Sequence, residues 1–271
     1  MTLFYGPLHT GTNSEHTMSI AGKKLQEART LLGPVLGESR RLMHCPLGHA
    51  DADTVLHGGL VRGALHEIFA RDASASGFAI CAAQCMNAGK RMLWIAQDFS
   101  TIEHGTLSPS GLAELGIDPA RLLLLRAANA EDALRAGIDA LSCNGLGNVI
   151  VELIGNPKVL DLVASRRLVL AAQNRNVTAF LLRHDAASEP SAAQTRWQIR
   201  SLPSVATHDW GTPRFEAALV RNRQGETGHW VMEWSCDDGV FRKPADQAAH
   251  PGAVVCAPAD GSLAAATRLA G

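Results

Sequence analysis

Ser74, Ser76 and Gly77 stand between a β-prone run and a helix-prone one. At such a strand-to-helix turn, backbone N–H groups and the helix dipole favour an anion. Handling a nucleoside triphosphate asks for more: a lysine ammonium against the β and γ phosphates and a hydroxyl on Mg²⁺. No lysine occurs between Lys24 and Lys90. The plainer reading of the serines is therefore a cap for the helix that follows. Glu152, near the end of the apolar run 148–153, is the second candidate. A carboxylate at the C-terminal end of a central parallel strand lies in the ligand crevice of such sheets, although many strand-end carboxylates are simply hydrogen-bonded in place. No catalytic residue is assigned.

Other chemistry-bearing residues point to structure. His44, Cys45 and His49 invite a zinc reading, but no second ligand pair follows at a suitable spacing, so no metal is expected. The six cysteines are scattered and form no C-x-x-C pair, as in a reducing compartment. Cys81 and Cys85, one turn apart on an apolar helical face, read as core residues. No elbow sequence supports a Ser/His/Asp nucleophile.

With 271 residues, 46% of them hydrophobic, the chain can bury a substantial core. Its formal net charge of -1 argues against gripping nucleic acid through bulk electrostatics. There is no membrane-length apolar run and no signal-peptide core, which fits a cytoplasmic protein.

The elements that must position these residues follow from periodicity. Short aliphatic runs at 64–69, 92–96, 122–126, 148–153 and 177–182 alternate with helical patterns, the mark of a parallel sheet with crossover helices. Phe78, Cys81, Ala82, Cys85 and Met86 form one helical stripe, with Gly89 placed as a C-cap. Leu134, Ile138 and Leu141 form a second. In 161–174, Leu162, Leu168 and Ala172 are expected to point inward. Beyond Pro190, runs at 196–201, 217–221 and 229–234 read as antiparallel strands, with a turn at 221–228. Helical periodicity before the core begins only near Met18, which leaves Met1 and Met18 as alternative starts. The expected organisation is an extension and linker with one helix over 1–54, a core over 55–242 and a flexible tail over 243–271.

Six segments in order carry a resemblance: 56–69 (LHGGLVRGALHEIF), 93–95 (LWI), 103–124 (EHGTLSPSGLAELGIDPARLLL), 160–168 (LDLVASRRL), 190–197 (PSAAQTRW) and 220–225 (VRNRQG). From about Leu56 to Trp234 the chain resembles the ImuA family, itself related to the RecA recombinase core. The resemblance implies an α/β fold of the RecA-like, P-loop NTPase type: a mostly parallel central sheet flanked by helices, with C-terminal antiparallel strands. It places the phosphate-binding loop at 64–77, with Ser76 or Phe78 where the lysine should be. It also puts Glu152 near the acidic Mg²⁺ position and Glu103 near the glutamate that orients water. On that footing Ser74, Ser76, Gly77, Glu103 and Glu152 form a vestigial nucleotide site; no cofactor is expected, ATP with Mg²⁺ being the alternative. The spans matching the two DNA loops of RecA, 154–158 and 183–194, are short and carry few cations, so DNA contact is expected to be weak or indirect. Arg196, Arg200, Arg221 and Arg223 are the candidate basic or partner face. The implied role is a non-catalytic accessory protein of inducible translesion DNA synthesis. It would act as an adaptor for an ImuB-like Y-family polymerase homologue, an error-prone C-family polymerase and RecA. Two alternatives stand beside it: an ATP-regulated protein with a degenerate loop, and a SulA-like inhibitor of cell division.

Overall fold

The computed structural model describes residues 42–86, 89–103, 105–204 and 211–244. The helix expected near Met18 and the tail beyond Pro244 lie outside the described residues. Contacts divide the chain after Met43, and the unit His44–Gly271 holds every described element.

Nine strands form one sheet. In chain order they are β3 (Leu65–Ala70), β4 (Arg91–Gln97), β5 (Leu122–Ala127), β6 (Leu146–Ile154), β7 (Thr178–His184), β8 (Thr195–Leu202), β9 (Arg214–Asn222), β10 (Gly228–Ser235) and β11 (Val240–Arg242). Across the sheet the order is β11-β10-β9-β8-β3-β7-β6-β4-β5. A separate two-stranded ribbon pairs β1 (His44–Cys45) with β2 (Leu60–Val61). Strands β5, β4, β6, β7, β3 and β8 run parallel. From β8 onward the pairing is antiparallel. Strand β8 is thus the switch: it accompanies β3 on one side and turns against β9 on the other, so the parallel part extends one strand further than the sequence suggested.

Helices cover both faces, which is why the central strands are apolar on both sides. One face packs against α2 (Ser74–Cys85), where Phe78, Trp197, Phe215, Trp234 and Phe241 meet in an aromatic core. The other packs against α5 (Ala130–Leu141) and α6 (Leu162–Arg175) through Val149, Val151, Leu153, Leu134, Leu141 and Leu168. Both helices start on side-chain caps: Asn129 Oδ1 accepts from Asp132 N at 2.9 Å, and Asp161 Oδ1 from Ala164 N at 2.7 Å. Helix α6 ends on Asn176 in the left-handed region, φ 57°.

Two expectations are corrected. Helix α2 stops at Cys85 with Met86 as its cap, so Gly89 belongs to the approach to β4. Leu162 is exposed, while Leu168 and Ala172 point inward as expected. Three short helices, α1 (Ala50–Val55), α3 (Asp98–Glu103) and α4 (Pro109–Glu114), were not legible as periodic runs. His49 caps α1, accepting from Ala52 N, and His44 Nδ1 lies 3.0 Å from Leu56 O. Both histidines thus fasten local turns. Among the described residues no helix is long and apolar enough to cross a membrane.

Candidate functional site

Strand β3 ends at Ala70 and α2 begins at Ser74, so only Arg71, Asp72 and Ala73 connect them. A loop that wraps a triphosphate needs several more residues, since its N–H groups must converge on the phosphates from a broad turn. Here the connection is held tight by Asp72. Its Oδ1 accepts from Ser74 N at 2.9 Å and its Oδ2 from Ser201 Oγ at 3.1 Å. Burial pushes this carboxyl up, but the Ser74 and Ser201 hydrogen bonds outweigh that and hold it below its ordinary value.

The three residues expected in a turn belong to the helix itself. Ser74 opens α2, buried, and its hydroxyl donates to Ile199 O at 3.4 Å. Gly77 is helical, its N–H donating to Ala73 O at 3.2 Å. A Cβ there would meet the Phe215 ring at 3.4 Å, an ordinary contact distance, and the residue is helical rather than bending a loop.

Beside α2 lies a cavity of about 530 Å³ at the C-terminal ends of β4, β5 and β6. Ser76, Gly77 and Glu152 all border it, so the fold brings these three predicted residues together; Ser74 lies outside it. The walls are mainly apolar, with Ile80, Trp94, Leu107, Leu112, Leu115 and Leu124. Segment 105–115 supplies much of the remaining wall, and Arg126 of β5 adds a cation to it. Glu103 closes α3, and its side chain lies outside the described residues.

Glu152 is engaged on both oxygens. Trp94 Nε1 donates to Oε2 at 2.8 Å, and His184 Nε2 stands 3.1 Å from Oε1. These partners come from β4 and β7, the two neighbours of β6. The carboxylate therefore ties three central strands together, with one neighbour on each oxygen.

The four arginines do not share a surface. Arg196 is buried and donates through Nε to the buried Glu67 Oε2 at 2.8 Å. Its remaining N–H groups reach Ser188, Glu189 O and Ser191. This corrects the expectation of a basic face there. Arg200 is exposed but pairs with Glu216, which also holds His229. Arg221 and Arg223 donate to the carbonyls of Ser191 and Ala193, both at 3.0 Å, and so fasten segment 185–194 to the hairpin.

The sequence reading missed this buried network. Glu67, Arg196 and Arg183 converge around Phe69, whose ring centroid lies 5.5 Å from the Arg183 guanidinium and 5.4 Å from that of Arg196. The signal was available: a carboxylate inside the mainly apolar run 65–70 requires a cationic partner on an adjacent strand.

No family model matches the chain. It is 29% identical over 230 residues to Protein ImuA of Caulobacter vibrioides, strain NA1000 / CB15N, covering 77% of this chain and 87% of the relative. The same protein of strain ATCC 19089 / CIP 103742 / CB 15 matches equally. Among solved structures, the RadB recombinase superposes with a TM-score of 0.53 at 17% identity, covering 74% of this chain and all of that one. The chain is thus similar in sequence to Protein ImuA and has the RecA-like fold of the RadB recombinase.

Proposed function

We propose that this chain is a non-catalytic accessory protein of damage-induced translesion DNA synthesis. It would use the RecA-like scaffold as a rigid protein-binding surface. The observation that carries this reading is the three-residue passage from Ala70 to Ser74, with no lysine near it. Two further features support it. The Mg²⁺-position carboxylate Glu152 is engaged by Trp94 and His184. The crevice is lined mainly by apolar side chains. Phosphoryl transfer depends heavily on charge stabilisation at the phosphates, and a site without the ammonium and the loop amides cannot supply it.

The edge strand β5 supports protein docking. Leu123, Leu124 and Leu125 are exposed, Leu124 at 56%, and among the described residues β5 pairs with β4 on one side only. A long apolar edge left open is a ready template for another chain. Phe99 and Ile102 of α3 are exposed as well, and Arg126 of β5 pairs with Asp98 at the start of that helix. The partners we assign are the ImuB-like protein, the error-prone polymerase and RecA.

The test combines binding and genetics. Purified chain should capture the cognate ImuB-like protein or RecA without ATP, and Leu124→Arg should weaken capture. In cells, deletion should abolish damage-induced mutation and the wild-type gene should restore it. Capture of neither partner, together with unchanged mutation frequency, would sink the reading.

A further inference from the structure

Among the described residues, helix α6 packs against the sheet and α5 and leaves its far side uncovered. Ser165, Leu168, Ala171 and Ala172 are buried against the sheet. At roughly 100° per residue, the opposite side carries Val163, Arg166 and Leu170, with Arg167 at its margin. Val163 and Leu170 are 52% and 59% exposed, and Leu162 and Val159 continue the aliphatic strip toward the N-terminus. The helix contains no acidic residue. Asp161, just before it, is occupied as the N-cap. Arg166 and Arg167 form no ion pair among the described residues. Lys158 adds a cation at the N-terminal end of the strip.

An aliphatic row flanked by unpaired cations is complementary to an apolar stripe beside carboxylates. We propose that this face of α6 docks an amphipathic helix of a partner protein whose apolar stripe is flanked by Asp or Glu. Nucleic acid fits less well: the strip offers no aromatic ring for a base and interrupts its cations with exposed aliphatics. A second copy fits less well too. The adjacent α5 exposes Glu131, Asp132 and Asp139, but Glu131 is paired with Arg135 and Asp132 with Asn129. Nor does α5 expose a large aliphatic side chain to meet the strip. The site lies on the opposite face of the sheet from α2. It is thus independent of the crevice and of which damage-response proteins the chain serves.

The experiment uses the full chain and a defined probe. A fluorescein-labelled, Glu/Leu-patterned helical peptide of about 20 residues is titrated with the protein and followed by anisotropy, beside a Lys/Leu peptide of the same pattern. Wild type should bind the Glu/Leu peptide only. Arg166→Glu with Arg167→Glu, and separately Leu170→Ser, should each weaken binding about tenfold while keeping the wild-type circular dichroism. Equal binding by wild type and both variants would overturn the proposal. So would duplex DNA binding that the double variant loses in the absence of peptide binding. Self-association that Leu170→Ser abolishes, seen in sedimentation without peptide binding, would overturn it in favour of a second copy.

Discussion

Glu67 and Arg196 sit on adjacent parallel strands, and each is the other's condition for being inside the protein. Removing one partner leaves a buried charge unmatched, so Glu67→Ala should destabilise the fold by about 3–5 kcal/mol in chemical denaturation. A double change to Leu and Met at the two positions should recover much of that loss. His66 ties stability to pH. Burial pushes its pKa down to about 4 from the ordinary 6.5, against the opposing hydrogen bond to Val61 O. The folded chain keeps this imidazole neutral where the unfolded chain would protonate it. Its contribution is therefore fully present above pH 6.5 and is lost as pH falls toward 4, by about 3 kcal/mol in all. His66→Gln should flatten that part of the stability profile; an unchanged profile would show that another group causes it. In one dimension Glu67 announces the need for a cation but not which one. Arg196 was expected on a basic or partner face, and only the pairing of β3 with β8 places Glu67 beside it.

Elements were legible where periodicity was long and obscure where it was short. All eight strands expected from aliphatic runs are present, and the aliphatic stripes of α5 and α6 were readable because each spans about three turns or more. Helices α3 and α4, of six residues each, are too short for a period to show, and β11 has only three residues. The start of α2 was obscured for another reason: Ser and Gly are poor helix formers, and the burial of Ala75, Phe78 and Ala79 in the core overrides that preference. Gly77→Ala should accordingly be neutral or stabilise by up to about 1 kcal/mol, as in a helix interior, whereas a phosphate-loop glycine would resist the change. Gly137 of α5 should behave oppositely. A Cβ there would come within 2.8 Å of Val151 Cγ2, so Gly137→Ala should destabilise by about 1–3 kcal/mol despite its better helix propensity. Thermal melts of the two variants, compared side by side, check both.

At the scale of the whole molecule, a nine-stranded sheet places its crevice at the strand ends, as RecA-like enzymes do, yet furnishes it differently. The fold was legible because strand order and the six resembling segments survive. The site was only half legible: Ser76, Gly77 and Glu152 do meet at one cavity, but the length of the β3–α2 connection and the Trp94–Glu152–His184 linkage are facts of three dimensions. On the proposed reading, a scaffold furnished in this way works without a nucleotide site. Calorimetric titration of the full chain with millimolar ATP and Mg²⁺ tests that most directly, with Glu152→Gln as the companion because glutamine keeps an acceptor for Trp94. No saturable heat is expected from either protein. Saturable, Mg²⁺-dependent binding to the wild type that Glu152→Gln weakens would contradict the absence of a nucleotide site.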